Sequence, residues 1–313
     1  MSLAASQSQW KSLAPNLQGA CWMLLSCLGF SVMVSFVKIV GRELSTFEIT
    51  FFRCFFGLVT LFPLIAWHGI GSLKTRHLGM HAWRGILGMI AMMCAYFGIA
   101  KLPLATYTAL SFSKPLFAIV LAVAVLHEVV RWRRWAATVV GFFGVLIMMR
   151  PGTESFDPNA LFALGDALSI AILITVLKRI PAYERPLAML FYFGVIASPL
   201  ALIPALPDWQ WPDSETWIYL AIIGATGALS QYWWIMAFRA GEASAVAPFD
   251  YSRLIFTGAV GLMFFSEVPD IWTLMGAGLI VASTIYLARR EAKLGREAKL
   301  GRSDRKPEIA APS

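Results

Sequence analysis

Charged side chains inside long apolar stretches of this chain include Lys114, Asp166, Asp250 and Arg253. Where such a stretch is a membrane-spanning helix, each charge costs about 2.5–3.5 kcal/mol at its centre on insertion scales, so a charge there indicates a functional site. Asp250 precedes Arg253 by three residues and therefore shares a helix face with it. Groups of both signs can bind a small zwitterionic molecule, and a carboxylate can carry a proton.

Polar and aromatic residues accompany these charges. Tyr107, Ser111 and Lys114 follow one another at spacings of four and three residues, which places them on one helix face. Tryptophan normally lies at membrane interfaces, so a Trp pair in mid-span indicates a stacking surface. The candidate substrate-binding residues are Lys114, Arg253, Asp250, Tyr107, Ser111, Tyr251, Tyr96, Trp233, Trp234 and Gln231. They suit a small zwitterion with an apolar or aromatic body.

Structural interpretations compete with some of these assignments. Arg253 can be neutralised by Asp250 in an ion pair that only stabilises the helix. Arg53, also inside an apolar stretch, is more simply a structural partner of Glu48 or Asp166. Both interpretations stay open on the sequence.

Two carboxylates are candidates for coupling transport to protons. Asp166 is preferred to Asp250 because its own helix carries no neighbouring base. Exchange without protons needs no such group, so both modes remain open.

Trp233 and Trp234 point to different sides of a helix, so at most one of them faces a cavity.

Two prolines predict interruptions in the same spans. Pro115 cannot donate to the carbonyl of Ser111, and Pro248 leaves that of Ser244 without its helical partner. In a membrane, such a break persists only where protein, water or ligand satisfies the carbonyl. The prolines therefore indicate either a polar, cavity-facing stretch or a kink needed for packing.

The composition is that of a membrane protein. Of 313 residues, 58% are hydrophobic and only 14% are charged, against about 45–50% and 25% in soluble domains, and the mean hydropathy is +0.67. These values exclude a soluble globular domain and a disordered chain. Four cysteines, all in apolar stretches, exclude a disulfide scaffold.

Hydropathy predicts an all-α fold with ten membrane-spanning helices, since a span needs about 20 mostly apolar residues. The predicted spans are residues 17–40, 46–67, 82–100, 103–125, 132–150, 159–180, 186–206, 215–238, 243–266 and 270–288. Their connections are too short to hold a soluble domain.

Positive charge is distributed unevenly between the two sides of these spans. Nineteen of the 26 Lys and Arg residues fall on the side of both termini, and four on the other side. The positive-inside rule therefore predicts cytoplasmic termini, and the net charge of +8 is explained by topology without nucleic acid. The basic tail, with REAKLG at Arg290–Gly295 recurring at Arg296–Gly301, can bind anionic lipid or only reinforce orientation.

The two halves resemble each other at an offset of 139–140 residues. The overlay places Lys114 on Arg253 and Glu128 on Glu267, and it also aligns Lys38 with Lys178. Five spans per half predict inverted repeats, which are characteristic of secondary transporters with a midplane site. The predicted organisation is an N-terminal arm (1–16), repeat 1 (17–150), a linker (151–158), repeat 2 (159–290) and a basic tail (291–313).

The chain resembles the EamA-like branch of the drug/metabolite transporter superfamily. The resemblance covers about residues 17–290 and is carried by Leu102–Leu121, His127–Trp135, the RPG linker at Arg150–Gly152 and Ser244–Asp270, with a glutamate after the fourth helix of each repeat (Glu128, Glu267). It implies a metabolite carrier of the bacterial inner membrane, and it favours export slightly over uptake.

Motifs of other protein classes are not found in the sequence. There is no Walker A loop, HExxH or G-x-S-x-G, and neither a metal nor a cofactor site is indicated. We therefore expect that the protein is not an enzyme and that it has neither a cofactor nor a nucleic-acid partner. We expect it to be a monomer or a weak oligomer.

These observations predict a secondary transporter of a small amphipathic metabolite, an amino acid or derivative, working by alternating access. One alternative is uptake of a cofactor-like metabolite such as S-adenosylmethionine or riboflavin. Another, from a different class, is a membrane scaffold or lipid-handling protein.

Overall fold

The computed structural model describes residues 14–75, 77–127, 132–177 and 185–303, and every regular element in those ranges is a helix. The α-helices are α1 (Pro15–Val40), α2 (Thr46–His68), α3 (Leu78–Lys101), α4 (Leu104–Ser111), α5 (Lys114–Leu126), α6 (Trp132–Met149), α7 (Ala160–Leu177), α8 (Pro186–Ala205), α9 (Ser214–Ala240), α10 (Ala243–Asp250), α11 (Ser252–Phe265) and α12 (Ile271–Ser303). Short 3₁₀ turns follow α2 at Ile70–Leu73 and α8 at Leu206–Asp208.

Several of the described helices have the length and apolarity of membrane spans. Six segments are long and apolar enough to cross a bilayer: Pro15–Val40, Thr46–His68, Leu78–Lys101, Leu104–Val125, Trp132–Met149 and Pro186–Asp208. Shorter apolar helices occupy Ala160–Thr175 and Ile271–Leu287. The prediction of an all-helical membrane protein is confirmed, while the inverted orientation of the two repeats stays a prediction.

Local sequence explains where helices begin. Ser45 and Glu48 form a capping box at the start of α2, in which each side chain accepts a hydrogen bond from the other residue's amide. The Asp213 side chain caps α9 by accepting from the amide of Thr216 at 2.8 Å. Hydrogen bonds from Thr216 lower the pKa of this exposed carboxyl below its usual value.

Each of the principal helix contacts joins the first half of the chain to the second. The most extensive packing is of α1 on α9, α6 on α12, α3 on α7 and α2 on α8. Small residues allow this approach: a Cβ on Gly144 would lie 2.8 Å from the carbonyl oxygen of Gly276. The halves are therefore interlocked, and a space between them is lined by both.

Two of the predicted spans are each divided into two helices. The fourth is interrupted at Phe112–Ser113, between α4 and α5, and the ninth at Tyr251, between α10 and α11. Pro115 is the second residue of α5, and Pro248 lies inside the last turn of α10. The rings of Phe112 and Tyr251 are 4.8 Å apart, so the two interruptions face each other in the bundle.

Candidate functional site

A cavity of about 210 Å³ lies between the two halves and is lined from nine helices. One face of α3 forms a continuous wall, since its lining residues recur every three or four positions: Arg84, Gly88, Ala91, Met92, Ala95, Tyr96 and Ile99. At about 1.5 Å per residue, this wall extends about 22 Å along the helix. The cavity therefore reaches from near one end of the bundle past its middle.

Asp166 on α7 is the carboxylate of this cavity, and its side chain is engaged from two directions. Its Oδ2 lies 3.2 Å from Nζ of Lys114, the first residue of α5. The Tyr107 hydroxyl on α4 donates to the same oxygen at 3.2 Å. Asp166 is only 4% exposed. The interruption between α4 and α5 thus places an amine and a phenol against one buried carboxylate.

Arg253 lines the cavity from the start of α11. Its Nη2 lies 3.7 Å from Oδ2 of Asp250, the last residue of α10. Its guanidinium also lies over the rings of Phe112 and Phe30, at 5.1 and 5.6 Å from the centroids. The ion pair offered as the structural alternative is present, and Arg253 lines the cavity as well.

Arg53 has neither of the partners that the sequence suggested. Its Nη2 donates to Oε1 of Gln231 at 3.2 Å, and its guanidinium lies 5.5 Å from the Phe193 centroid. Glu48 is used instead at the start of α2, where its Oε1 accepts from the amide of Gln210 at 2.7 Å. Arg53 thus belongs to the cavity wall.

Most of the predicted site residues meet in this cavity. Lys114, Asp166, Arg253, Tyr107, Ser111, Tyr96 and Gln231 all line it. Asp250, Tyr251, Trp233 and Trp234 are not among the lining residues.

The side chains outside the lining are held by other contacts. Tyr251 donates its hydroxyl to Thr284 on α12 at 2.5 Å. Trp234 packs edge-on against Phe238 and is 39% exposed, while the Trp233 ring lies next to Gly29 of α1. Successive helix positions differ by about 100°, so Trp233, two positions after the cavity-facing Gln231, lies on the far side of α9. Trp234, three positions after Gln231, is turned by only about 60° and packs on Phe238 instead. The mid-membrane aromatic surface predicted on this helix is therefore not part of the cavity wall.

Several lining residues were not predicted from the sequence, and Arg84 is the most consequential of them. The predicted third span begins at residue 82, which places Arg84 two residues from its end, but α3 begins at Leu78 and carries Arg84 six residues into the helix. The four-residue spacing of Arg84 and Gly88 was the available signal. Thr108, Thr257, Phe30 and Phe193 were also missed, because apolar and hydroxyl residues in a span do not reveal which face they occupy.

Beyond the Ile99 end of the cavity, at the junction of α3 and α4, Lys38 of α1 forms an ion pair with Glu267. Lys38 also donates to the Leu102 carbonyl at 2.7 Å, and the other Glu267 oxygen accepts from the Leu104 amide at 2.7 Å. These bonds tie together α1, the start of α4 and the segment between α11 and α12. Glu128, the other glutamate of the family motif, lies outside the described residues.

No group of three or more His, Cys, Asp or Glu residues that could hold a metal ion occurs in the part of the chain that the structure describes. The arrangement as a whole is a polar cavity inside an apolar helical bundle. It can bind a small molecule with both charged and aromatic groups.

Comparison with known proteins gives the class, a membrane transporter of small metabolites. The chain is 34% identical over 282 residues to a protein of Rickettsia prowazekii named S-adenosylmethionine uptake transporter, covering 90% of this chain and 96% of the relative. A Riboflavin transporter of Vibrio cholerae is 31% identical over 285 residues, with 90% and 96% covered. A Pseudopaline exporter of Pseudomonas aeruginosa is 30% identical over 274 residues, with 87% and 96% covered.

The sequence model of the EamA-like transporter family matches residues 17–150 and again 158–289. The chain belongs to this family. A solved structure, titled only "Crystal structure of protein", superimposes with a TM-score of 0.54 at 16% identity, covering 85% of this chain and 98% of that chain. That likeness supports the fold and nothing beyond it.

Proposed function

We propose that this protein takes up S-adenosylmethionine, or a closely related amino-acid derivative with an aromatic base, by alternating access. One observation carries the proposal: a buried carboxylate, Asp166, faces a cavity that also has cationic and aromatic walls. The relative named S-adenosylmethionine uptake transporter supports this choice over export of an ordinary amino acid, which the sequence slightly favoured.

The chemistry of the ligand matches the walls group by group. S-adenosylmethionine carries two positively charged groups, an ammonium and a sulfonium. Asp166, the carboxylate in the cavity lining, attracts positive charge. Its adenine ring needs apolar and aromatic surface, which Tyr96, Phe30 and Phe193 supply. The sulfonium competes with Lys114 for the same carboxylate, so binding exchanges one ion pair for another.

The closed end of the cavity supports an alternating mechanism. Ile99 lines the cavity three residues before Leu102, whose carbonyl is bound by Lys38, so the Lys38–Glu267 pair lies directly beyond the site. Under the positive-inside orientation this is the outer end, and the cavity extends toward the cytoplasm. Transport then requires this pair to separate when the outer side opens.

The two halves are proposed to act as inverted repeats, at residues 17–150 and 159–290, because the closest helix pairs cross between them. We also propose an inner-membrane location with both termini cytoplasmic, which reporter fusions at the C-terminus would test. Contact of the basic tail with anionic lipid and a monomeric or weakly oligomeric state stay predictions.

Counterflow in proteoliposomes tests the substrate. Vesicles are loaded with unlabelled S-adenosylmethionine, and entry of labelled S-adenosylmethionine is followed against a panel of amino acids and riboflavin. We expect saturable exchange that Lys114→Ala abolishes and that Lys101→Ala, which changes an exposed lysine at the end of α3, leaves intact. Exchange restricted to simple amino acids would contradict the proposal and restore the export hypothesis.

Riboflavin is the second candidate, because the aromatic wall and a relative named Riboflavin transporter both favour it. Riboflavin has no ammonium, so its transport would not depend on Asp166. Riboflavin exchange that persists in Asp166→Asn would identify it as the substrate in place of S-adenosylmethionine.

A further inference from the structure

The cavity has more positive than negative groups. Four cations line it, Arg53, Arg84, Lys114 and Arg253, while Asp166 is the one carboxylate among the described lining residues. Lys114 pairs with Asp166, and Arg253 pairs with Asp250 at the edge of the site. Within the ranges that the structure describes, no carboxylate forms an ion pair with Arg53 or Arg84. Two guanidinium groups are therefore left without a counter-charge.

Arg84 is the less satisfied of the two. Its Nη1 is buried and has no hydrogen-bond partner in the described part of the chain. Arg84 lies one helical turn from Gly88, against which the Phe193 ring packs. This places Arg84 on the cavity face of α3, toward the end opposite the Lys38–Glu267 pair.

Arg53 is held in position but not neutralised. Gln231 accepts one hydrogen bond from its Nη2, and Phe193 supports the plane of its guanidinium. Its Nε is buried without a partner among the described residues. A neutral amide fixes the orientation of a cation without cancelling its charge, so Arg53 keeps its attraction for an anion.

An uncompensated cation at this depth is expensive, because low-dielectric surroundings disfavour a charge that has no counter-ion. The missing anion has to enter with the ligand. Guanidinium groups present a planar fork of donors that matches a carboxylate, which makes arginine well suited to this task.

We propose that Arg84, assisted by Arg53, binds a carboxylate of the transported molecule, at a position separate from Asp166, which attracts its sulfonium. The inference rests on the proposed function and names the second charged group that the substrate must have. In S-adenosylmethionine this group is the carboxylate of the methionine part. The cavity thereby selects an amino acid derivative over the corresponding amine.

The test compares S-adenosylmethionine with decarboxylated S-adenosylmethionine, which retains the sulfonium, the amine and the base. Inhibition constants of both compounds are measured in counterflow for the wild type, Arg84→Gln and Arg53→Gln. We expect the wild type to prefer the carboxylate form by about 10- to 100-fold, as for a hydrogen bond to a charged group. Arg84→Gln should lose most of this preference, and Arg53→Gln part of it.

Arg133→Gln is the matched control, since Arg133 lines a different groove between α6 and α12 and its loss should leave the ratio unchanged. Arg84→Lys keeps the charge and covers the case in which Arg84→Gln fails to fold; it should retain an intermediate preference. A ratio in both Arg84 variants equal to that of the wild type would overturn the proposal.

Failure of the substrate and failure of the anion site can be distinguished. If the wild type does not exchange S-adenosylmethionine, the proposed substrate is wrong, and the same ratio is measured for phenylalanine against phenethylamine. A preference for the carboxylate that depends on Arg84 would then support the site independently of the substrate. Equal inhibition constants for phenylalanine and phenethylamine in the wild type would contradict the proposed carboxylate-binding site.

Discussion

Lys114 and Asp166 form an ion pair at 3.2 Å between α5 in the first half of the chain and α7 in the second. The pair lies in the cavity wall, and Tyr107 donates to the same carboxylate oxygen. Under the proposed function, a cationic group of the substrate that displaces Lys114 from Asp166 would also loosen a link between the halves. On this proposal, binding and rearrangement are connected through one carboxylate.

Asp166→Asn should remove most transport of S-adenosylmethionine, because the amide keeps the size of the side chain but cannot neutralise a cation. We expect kcat/KM to fall by about 100-fold or more, in line with the loss of a charged, buried hydrogen-bonded pair. Initial rates of counterflow measure the effect. Asp208→Asn, at an exposed position after α8, is the control, and equal rates in the two variants would rule out the role given to Asp166.

Separating Lys38 from Glu267 should open the outer end of the cavity. In a chain whose four cysteines are replaced, Ala95→Cys in the cavity wall is labelled with a membrane-impermeant thiol reagent added outside. Glu267→Gln should raise the labelling rate several-fold, and the exchanged pair Lys38→Glu with Glu267→Lys should lower it again.

The ion pair between Arg150 and Asp270 provides the control for this experiment, since it joins the end of α6 to the start of α12 without touching the cavity. Asp270→Asn should not change the rate at which Ala95→Cys is labelled in the chain whose own cysteines are replaced. An equal rise in the labelling rate in Asp270→Asn and Glu267→Gln would contradict the role of the Lys38–Glu267 pair in closing the cavity.

Tyr107→Phe and Tyr251→Phe should have different effects, although both tyrosines lie at helix interruptions. Tyr107 bonds the site carboxylate, so its hydroxyl contributes to substrate affinity and its removal raises KM. Tyr251 bonds Thr284 outside the cavity lining, so its removal lowers stability by about 1 kcal/mol and leaves KM unchanged. Thermal unfolding in detergent and counterflow kinetics on both variants check this; a raised KM in Tyr251→Phe would contradict it.

Two glycines of α12 should differ in their tolerance of a methyl group. A Cβ on Gly276 would collide with Met148 and Gly144 of α6, whereas one on Gly278 meets nothing within 4 Å. Gly276→Ala should therefore destabilise the protein by about 1–3 kcal/mol, and Gly278→Ala should be neutral or slightly stabilising. Melting temperatures of the purified variants measure the difference, and equal values would refute the close contact.

The cap of α9 predicts a pH dependence. Because the pKa of Asp213 is lowered in the folded protein, its contribution to stability is full above its unfolded pKa and is lost as the pH falls through the folded value. Asp213→Ala should lower the unfolding temperature at neutral pH, and its difference from wild type should shrink in acid. A difference independent of pH would show that the charged form of the cap is not what stabilises α9.

Part of the site could be predicted because its signals are local. A charge inside an apolar run stands out at any position, which is how Lys114, Asp166 and Arg253 were found, and all three line the cavity. Helix ends were predicted less well: the third span was placed from residue 82, which puts Arg84 two residues from its end, whereas α3 starts at Leu78 and places Arg84 six residues into the helix. A boundary shifted by a few residues was enough to hide a cavity cation.

Hydropathy and helix length depend on neighbouring residues, so the sequence alone predicts a helical membrane protein and the segments that form its helices. Which side chains meet depends on tertiary packing. Asp166 pairs with Lys114, 52 positions earlier in the chain, and the tryptophans beside Gln231 are excluded from the cavity. The physical reason is that the rotation of each helix about its axis is set by packing against helices distant in sequence, which apolar spans of uniform hydropathy do not encode locally.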